Sequence, residues 1–290
     1  MLEFIWNNFL FYPVLNVLVT FYHFLGENLG LAVILLAIVI RLLLIRNTRK
    51  QTEMTKTMST LKPKMEELNK KYSNDKEKLA QEQMKLYKET GYNPLGCLTN
   101  FIPQMIILIV VVQVIRVVTL NDIDEGLYPF VQSLVGINGE GLELETNFFS
   151  IIDLSKNYMA VAGEKGYLAM QALTYLALSL AVGVVQFISS QFMQAMQEVK
   201  GTKPKPSKKK KADGQMDPEE MQKQMMGSMT KVFPLIIVYI TLTVPSILAL
   251  YWFAQAIMLV VQYYFIDKET TVTTIKKLNP LNKGEVLNTK

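Results

Sequence analysis

Long apolar stretches recur five times along this chain: Leu29 to Ile45, Leu98 to Val118, Tyr167 to Met193, Met225 to Val244 and Ile247 to Ile266. A helix rises 1.5 Å per residue and a bilayer's hydrocarbon core is about 30 Å thick, so each stretch is predicted to be a transmembrane helix. Between the first two, the pattern changes. Met54, Met58, Leu61, Met65, Leu68 and Tyr72 alternate in steps of four and three, which draws one apolar stripe along a helix whose other faces are Lys, Glu, Thr and Gln. Ser73-Asn74-Asp75 interrupts that stripe, and Asn74 with Glu77 three residues on has the form of a capping box. A second amphipathic helix then runs through Leu79, Met84, Leu86 and Tyr87 until Gly91, Asn93 and Pro94 stop it. The prediction is a helical hairpin, with Pro63 expected to kink its first arm.

The segment ahead of the first span has a third pattern. Trp6, Phe9, Pro13, Val17, Phe21 and Phe24 recur at roughly helical spacing in a stretch without Lys or Arg, which suits a helix lying along a membrane surface. The chain therefore divides into an outer interfacial helix (1–28), a first span (29–46), a hairpin (47–95), a second span (96–118), a loop (119–166), a third span with an extension (167–199), a basic linker (200–222), paired fourth and fifth spans (223–266) and a tail (267–290). The expected fold is an all-α polytopic membrane protein with five transmembrane helices, an outer interfacial helix and a cytoplasmic helical hairpin.

Charge orients this arrangement. Of 30 basic residues, twelve fall between Arg46 and Lys88, eight between Lys200 and Lys223, and five after Ile266. Positive loops stay inside, so the hairpin, linker and tail are expected in the cytoplasm and the N-terminus outside. Residues 119 to 166 agree, with only Lys156 and Lys165 against eight acids. Residues 1 to 40 offer no basic n-region, so a cleaved secretory leader is not expected. Methionine is concentrated on the cytoplasmic side: 11 of 16 lie in or beside the hairpin and the linker. Flexible thioethers suit transient contact with varied apolar partners, whereas the simpler use of such a stripe is to bury it against the other arm. Met54, Met58, Leu61, Met65 and Met84 are the residues this choice concerns. The segment from Gly201 to Glu220 has no apolar periodicity and is expected to be disordered, with Lys208 to Lys211 as a solvated positive-inside signal.

Arg41 is the only charge in the first apolar run. A guanidinium near the middle of a span costs at least about 2.5 kcal/mol on insertion scales, so its side chain either snorkels toward Arg46 and the charged segment beyond or faces a wet, protein-lined cavity. Other chemistry is absent from the sequence. No phosphate-cradling glycine loop, metal-ligand cluster or nucleophile–histidine pair is present, so no enzyme activity, metal or cofactor is expected. His23 is the single histidine and Cys97 the single cysteine, each read as a packing or surface residue.

These residues resemble the YidC/Oxa/Alb family of membrane protein insertases. The resemblance rests on NLGLAVILLAIVIRLLL with its arginine, on LKPKMEELNKKYSNDKEKLAQEQMKLYKETGYNPLGCL, on NFFSIIDLSK before the third span, and on VPSILALYW between the fourth and fifth. It implies a hydrophilic groove, open to cytoplasm and lipid, that receives nascent membrane proteins and releases their spans sideways into the bilayer. By matching position, Arg41 is the groove's positive charge, Gln186 a polar residue of the third span and Trp252 an aromatic lining residue of the fifth, with Gln104 and Tyr251 completing the set. Ser189-Ser190 stand where the family usually has a Gln-Gln pair. The implied partners are nascent membrane proteins and membrane lipid, then the ribosome and the secretory translocon, with no specific DNA binding; the implied location is the inner (plasma) membrane. The alternative is a small-solute transporter or channel using the intramembrane arginine, with Pro103, Pro234 and Pro245 marking broken helices. A structural scaffold without a wet cavity is a third reading.

Overall fold

The computed structural model describes residues 1–73, 75–91, 96–120, 123, 126–136, 144–200, 232 and 234–278. Helices dominate. In chain order they are α1 (Leu2–Trp6), a π-helical turn (Asn7–Phe11), α2 (Tyr12–Phe24), α3 (Leu29–Leu43), α4 (Ile45–Lys71), α5 (Lys76–Glu89), α6 (Gly96–Thr119), α7 (Pro129–Leu134), α8 (Tyr158–Lys165), α9 (Met170–Lys200), α10 (residues 234–241), α11 (Ser246–Ile266) and α12 (Lys268–Leu278). The one sheet among the described residues is a hairpin of β1 (Asn147–Phe148) and β2 (Ile152–Asp153). The molecule is an all-α polytopic membrane protein. Glu3–Phe24, Ile102–Thr119, Met170–Met193 and Ser246–Ile266 are each long and apolar enough to cross a bilayer, and α3 with the first part of α4 makes a fifth if that bent pair is one span. The expected basic linker, the first part of the expected fourth span and the end of the tail lie outside the described residues.

The chain forms two compact units. The first comprises Met1–Leu43, Gln104–Ser189 and Ser228–Leu259. In it, Leu25 to Asn28 turn the chain from α2 into α3, with Gly26 and Glu27 both at positive φ (69° and 60°), and the two helices pack on each other. Asn28 caps α3, its Oδ1 accepting from the Leu31 N–H at 3.0 Å. Asn16 on α2 is buried with its amide saturated: Nδ2 donates to Tyr12 O and Gly126 O, and Oδ1 accepts from Tyr128 N–H at 2.7 Å. Gly126 fits there because a Cβ would press on Leu15 and Tyr12.

Residues 144–158 close one end of this unit over the turn between α10 and α11. The first N–H groups of α11 have no partners within the helix. The loop supplies them: Ser246 N–H donates to Lys156 O (2.9 Å), Ser246 Oγ to the same carbonyl (2.7 Å) and Ile247 N–H to Leu154 O (3.0 Å). In return Asn157 Nδ2 donates to Thr243 O and Met159 N–H to Leu242 O. The loop is rigid enough to do this because Asp153 organises it. Its Oδ1 accepts from Thr146 Oγ1 (2.8 Å), Ser155 Oγ (2.6 Å) and Ser155 N–H (3.0 Å), while its backbone N–H and C=O bracket the Tyr175 hydroxyl of α9 at 3.1 Å each.

The second unit comprises Leu44–Pro103, Ser190–Gly227 and Val260–Lys290. Its α4 and α5 form the expected hairpin, joined by a side-chain bond from Gln83 Nε2 to Asn69 Oδ1 (2.9 Å). Helix α4 begins at Ile45, inside the expected first span, and continues through Pro63 to Lys71. The cap of α5 differs from the expectation: Asp75, not Asn74, is the N-cap, and its side chain accepts from Lys78 N–H at 3.0 Å. Asp75 supplies the side chain that reaches an orphan N–H, while Asn74 lies outside the described residues. Helix α12 lies in the expected tail and is tied to the α9 extension by Thr274 Oγ1 to Met196 Sδ (3.3 Å), beside a T-shaped Phe192–Tyr263 ring pair.

Burial alone would raise the Asp153 carboxyl, but the hydrogen bonds from Ser155 and Thr146, with Lys156 nearby, hold it below the usual carboxylate range. A depressed folded-state value means the loop's contribution is complete above the ordinary carboxylate value and is lost as pH falls through the lower folded one. Asp153→Asn keeps an acceptor without the charge. It is expected to lower thermal stability in detergent at neutral pH and to flatten the acid limb that the unmodified chain shows. An identical acid limb in both proteins would remove Asp153 as its cause.

Candidate functional site

Arg41 sits in the last turn of α3, half-buried, where the helix's C-terminal carbonyls favour a cation. One turn earlier, Ala37 is fully buried and its carbonyl faces α11. From α11, Gln255 Nε2 donates to Ala37 O at 3.2 Å and to Tyr251 Oη at 3.0 Å. Tyr251 and Gln255 are four residues apart and so share a helix face; both are buried, at 1% and 6% exposure. The Arg41 charge acts on the Tyr251 phenol. Gln255 Oε1 and Arg41 Nε are buried atoms without a hydrogen bond of their own, although Arg41 is engaged through other contacts. The result is a cation, a phenol and an amide gathered among apolar helices. Such a group offers charge and hydrogen bonds to a polar group in a low-dielectric setting.

The other expected groove residues are distributed differently. Trp252, one position past Tyr251, points to another face of α11, where it packs half-buried against Val182 of α9, Ile237 of α10 and Ala249. Gly183 allows that approach, since a Cβ there would collide with Val238. Gln186 is half-buried on α9 and engaged in contacts. Three residues on, Ser189 Oγ donates to Ala256 O at 2.9 Å and ties α9 to α11. Gln104 is half-buried on α6. The structure thus bonds Tyr251 to Gln255, which the sequence reading passed over, leaves Arg41 within Coulombic range of Tyr251, and gives Ser189 a bond from α9 to α11. A signal for Gln255 was available: it is an amide four residues from a tyrosine within an apolar span.

The capture residues of the second unit also separate. Leu61 (3% exposed) and Met65 (6%) are buried against Leu86, with Leu68 and Tyr87 packed beside them, so this part of the stripe is the hairpin's own core. Met84 is 51% exposed and Met54 half-buried; the Met58 side chain lies outside the described residues. Among the described residues no group of His, Cys, Asp and Glu is assembled that could hold a metal ion.

Comparison with known proteins places these features in context. A family model described as 60Kd inner membrane protein matches residues 20–274. The chain is similar to membrane protein insertase YidC 2 of Bacillus anthracis, 27% identical over 267 residues that cover 90% of this chain and 81% of that protein. It is similar to membrane protein insertase MisCA of Bacillus subtilis, 27% identical over 266 residues, covering 90% and 78%. With ALBINO3-like protein 1, chloroplastic, of Arabidopsis thaliana it shares 30% identity over 251 residues, 82% of this chain but 43% of the plant protein.

Gln255→Leu separates the structural from the functional weight of the polar group. Hydrogen bonds between membrane helices contribute about 0.6 kcal/mol on average, so the variant is expected to melt close to the parent in detergent. Freed from its donor, the Tyr251 hydroxyl loses its fixed position, and activity in reconstituted membranes is expected to fall by more than the small stability change explains. Parallel losses in melting and activity would make Gln255 a packing residue only.

Proposed function

This chain belongs to the YidC/Oxa/Alb family of membrane protein insertases, and we propose that it inserts nascent membrane proteins by offering their polar segments a wet groove to which the half-buried Arg41 presents its charge, with the buried Tyr251 and Gln255 behind it. The observation that supports this reading is the gathering of those three polar side chains on α3, otherwise apolar, and on α11, mostly so. A translocating tail must carry backbone and side-chain polar groups through hydrocarbon, where each unsatisfied group costs several kcal/mol. A groove reduces the thickness of hydrocarbon to be crossed, and a fixed cation bordered by apolar helices attracts acidic residues of the tail more strongly than it would in bulk water. The arriving span then leaves into lipid, driven by burial of its apolar surface and by the membrane potential acting on negative tail charges.

The distribution of Lys and Arg supports an N-terminus outside and a cytoplasmic C-terminus, so that the α4–α5 hairpin and the basic linker meet clients, and with them the ribosome or the secretory translocon, on the cytoplasmic side. Gln186, Gln104 and Trp252 complete the proposed lining. Met54, Met58 and Met84 are the proposed capture residues, whereas Leu61 and Met65 keep the hairpin folded.

The electrostatic part is tested at Arg41. Arg41→Ala is expected to impair insertion of clients with acidic outer tails by tenfold or more relative to neutral-tailed ones, on the order of the 1–2 kcal/mol that a poorly screened charge pair supplies. Arg41→Lys should retain most of the activity, since a point charge suffices. Equal losses for acidic and neutral tails would remove the electrostatic role.

The capture part is tested by comparing two methionines. Met65→Ala opens a cavity in the hairpin core and is expected to destabilise it by about 2–5 kcal/mol, with protease sensitivity between α4 and α5. Met84→Ser leaves that core intact and is expected to reduce crosslinking to ribosome-bound nascent chains without added protease sensitivity. Undiminished crosslinking by Met84→Ser would rule out this surface as the capture site.

A further inference from the structure

We propose that the tip of the β1–β2 hairpin, Phe149-Ser150-Ile151, is a lipid anchor that inserts into the bilayer at the boundary between headgroups and acyl chains. The root of this hairpin is held from three sides. Phe148 lies directly on Gly30, the second residue of α3, where a Cβ would run into its ring. Ile152 packs on the cluster of Val161, Ala162, Ala172 and Tyr175. Asp153 brackets the Tyr175 hydroxyl with its backbone N–H and C=O. The tip, by contrast, is open: Phe149 is 60% and Ile151 69% exposed.

The membrane level of the tip follows from those attachments. The apolar window Met170–Met193 has 24 residues, about 36 Å of helix, against a hydrocarbon core of about 30 Å, so the core begins within the first turn or two. Tyr175 lies five residues after Met170, about 7.5 Å along the axis, and a helical side chain leans back toward the N-terminus. The phenol that holds Asp153 is therefore at the edge of the hydrocarbon. Gly30 gives the same level independently, from the start of α3. A hairpin fixed at that height and turned outward meets lipid. The chain entering α9 continues the apolar surface at this level, with Tyr167, Leu168 and Met170 all largely exposed.

The tip's chemistry matches that occupant. It carries no charge, and its two large apolar side chains flank a single hydroxyl. Phe149 and Ser150 hold positive φ (50° and 57°), an uncommon conformation for residues with a Cβ, closed by the Ile151 N–H to Phe148 O bond at 3.0 Å. A water-exposed turn with this backbone would favour Gly or Asn; here the conformation turns Phe149 and Ile151 outward together.

The test places an environment-sensitive NBD fluorophore at Ser150→Cys in a Cys97→Ala chain, leaving Phe149 and Ile151 intact, with Glu164→Cys as the exposed control. The full chain is assembled in nanodiscs of phosphatidylethanolamine and phosphatidylglycerol. Emission from position 150 is expected to be blue-shifted, quenched by lipids with a doxyl group high on the acyl chain, and insensitive to aqueous iodide, with the opposite behaviour at 164. Adding Phe149→Asp and Ile151→Asp to the labelled chain is expected to return position 150 to iodide quenching. Iodide quenching at 150 in the parent would overturn the proposal, and so would protection from both quenchers, which means that protein and not lipid covers the tip.

Discussion

The beginning of α11 depends on carbonyls that it does not own. Ser246 and Ile247 present N–H groups that no residue within the helix can satisfy, in a region bordering hydrocarbon where water is scarce, and Lys156 O and Leu154 O accept them. This requirement fixes the loop 144–158 over the α10–α11 turn, and the turn in turn fixes the rotation of α11 about its axis. Tyr251 and Gln255 then face Ala37 on α3, while Trp252 faces α9 and α10. Asp153 acts one step further back: it shapes the segment from Thr146 to Ser155 so that the two carbonyls are in place, and it bonds the same segment to α9 through Tyr175. One carboxylate at the border of the hydrocarbon thereby orients the polar residues within it.

That arrangement explains how an arginine is tolerated in an apolar helix. Snorkelling and solvation by a polar cavity are not exclusive for Arg41. Its position in the last turn of α3 brings the side chain toward the end of the helix, where carbonyl dipoles favour it, and the phenol of Tyr251 lies within its electrostatic reach. Gln255 serves both helices at once, since its amide protons hold the Tyr251 hydroxyl and the α3 backbone together. The desolvation cost of the cation is thus shared with the dipoles around it.

Much of this was legible in the sequence, for reasons tied to periodicity. Runs of apolar residues announce spans because hydrocarbon tolerates little else, and the four-three stripe of α4 put Leu61 and Met65 on one face, which the structure buries against Leu86. What periodicity could not do was choose between packing and client contact for that stripe, since both need apolar side chains on one face. Single polar residues were harder still. Gln255, Ser189 and Asp153 matter through partners distant in sequence, and a local pattern such as an amide four residues from a tyrosine does not say which partners those are. Helix α12 was hidden for the opposite reason: its run of Thr and Val has poor helix propensity, and buried contacts such as Thr274 with Met196 override it.

The N-terminal helix shows how tertiary contacts bear on a choice that composition leaves open. Glu3–Phe24 is long and apolar enough to cross a membrane, yet the sequence reading laid it along the surface. Its contacts support the second alternative. Trp6 Nε1 donates to Gln113 Oε1 at 2.7 Å, and Gln113 lies six residues before the end of α6, about 9 Å from the start of the loop 119–166. Phe24 lies 18 residues beyond Trp6, about 27 Å along a helix, and leads through a short turn into Leu29 at the start of α3. Midway, Asn16 is bonded to Gly126 and Tyr128 of that same loop. A helix whose beginning, middle and end all stay within about 9 Å of one boundary cannot traverse a core of about 30 Å. These contacts support a length directed along the interface, where an indole with a hydrogen-bonded N–H and an apolar ring is well suited to sit.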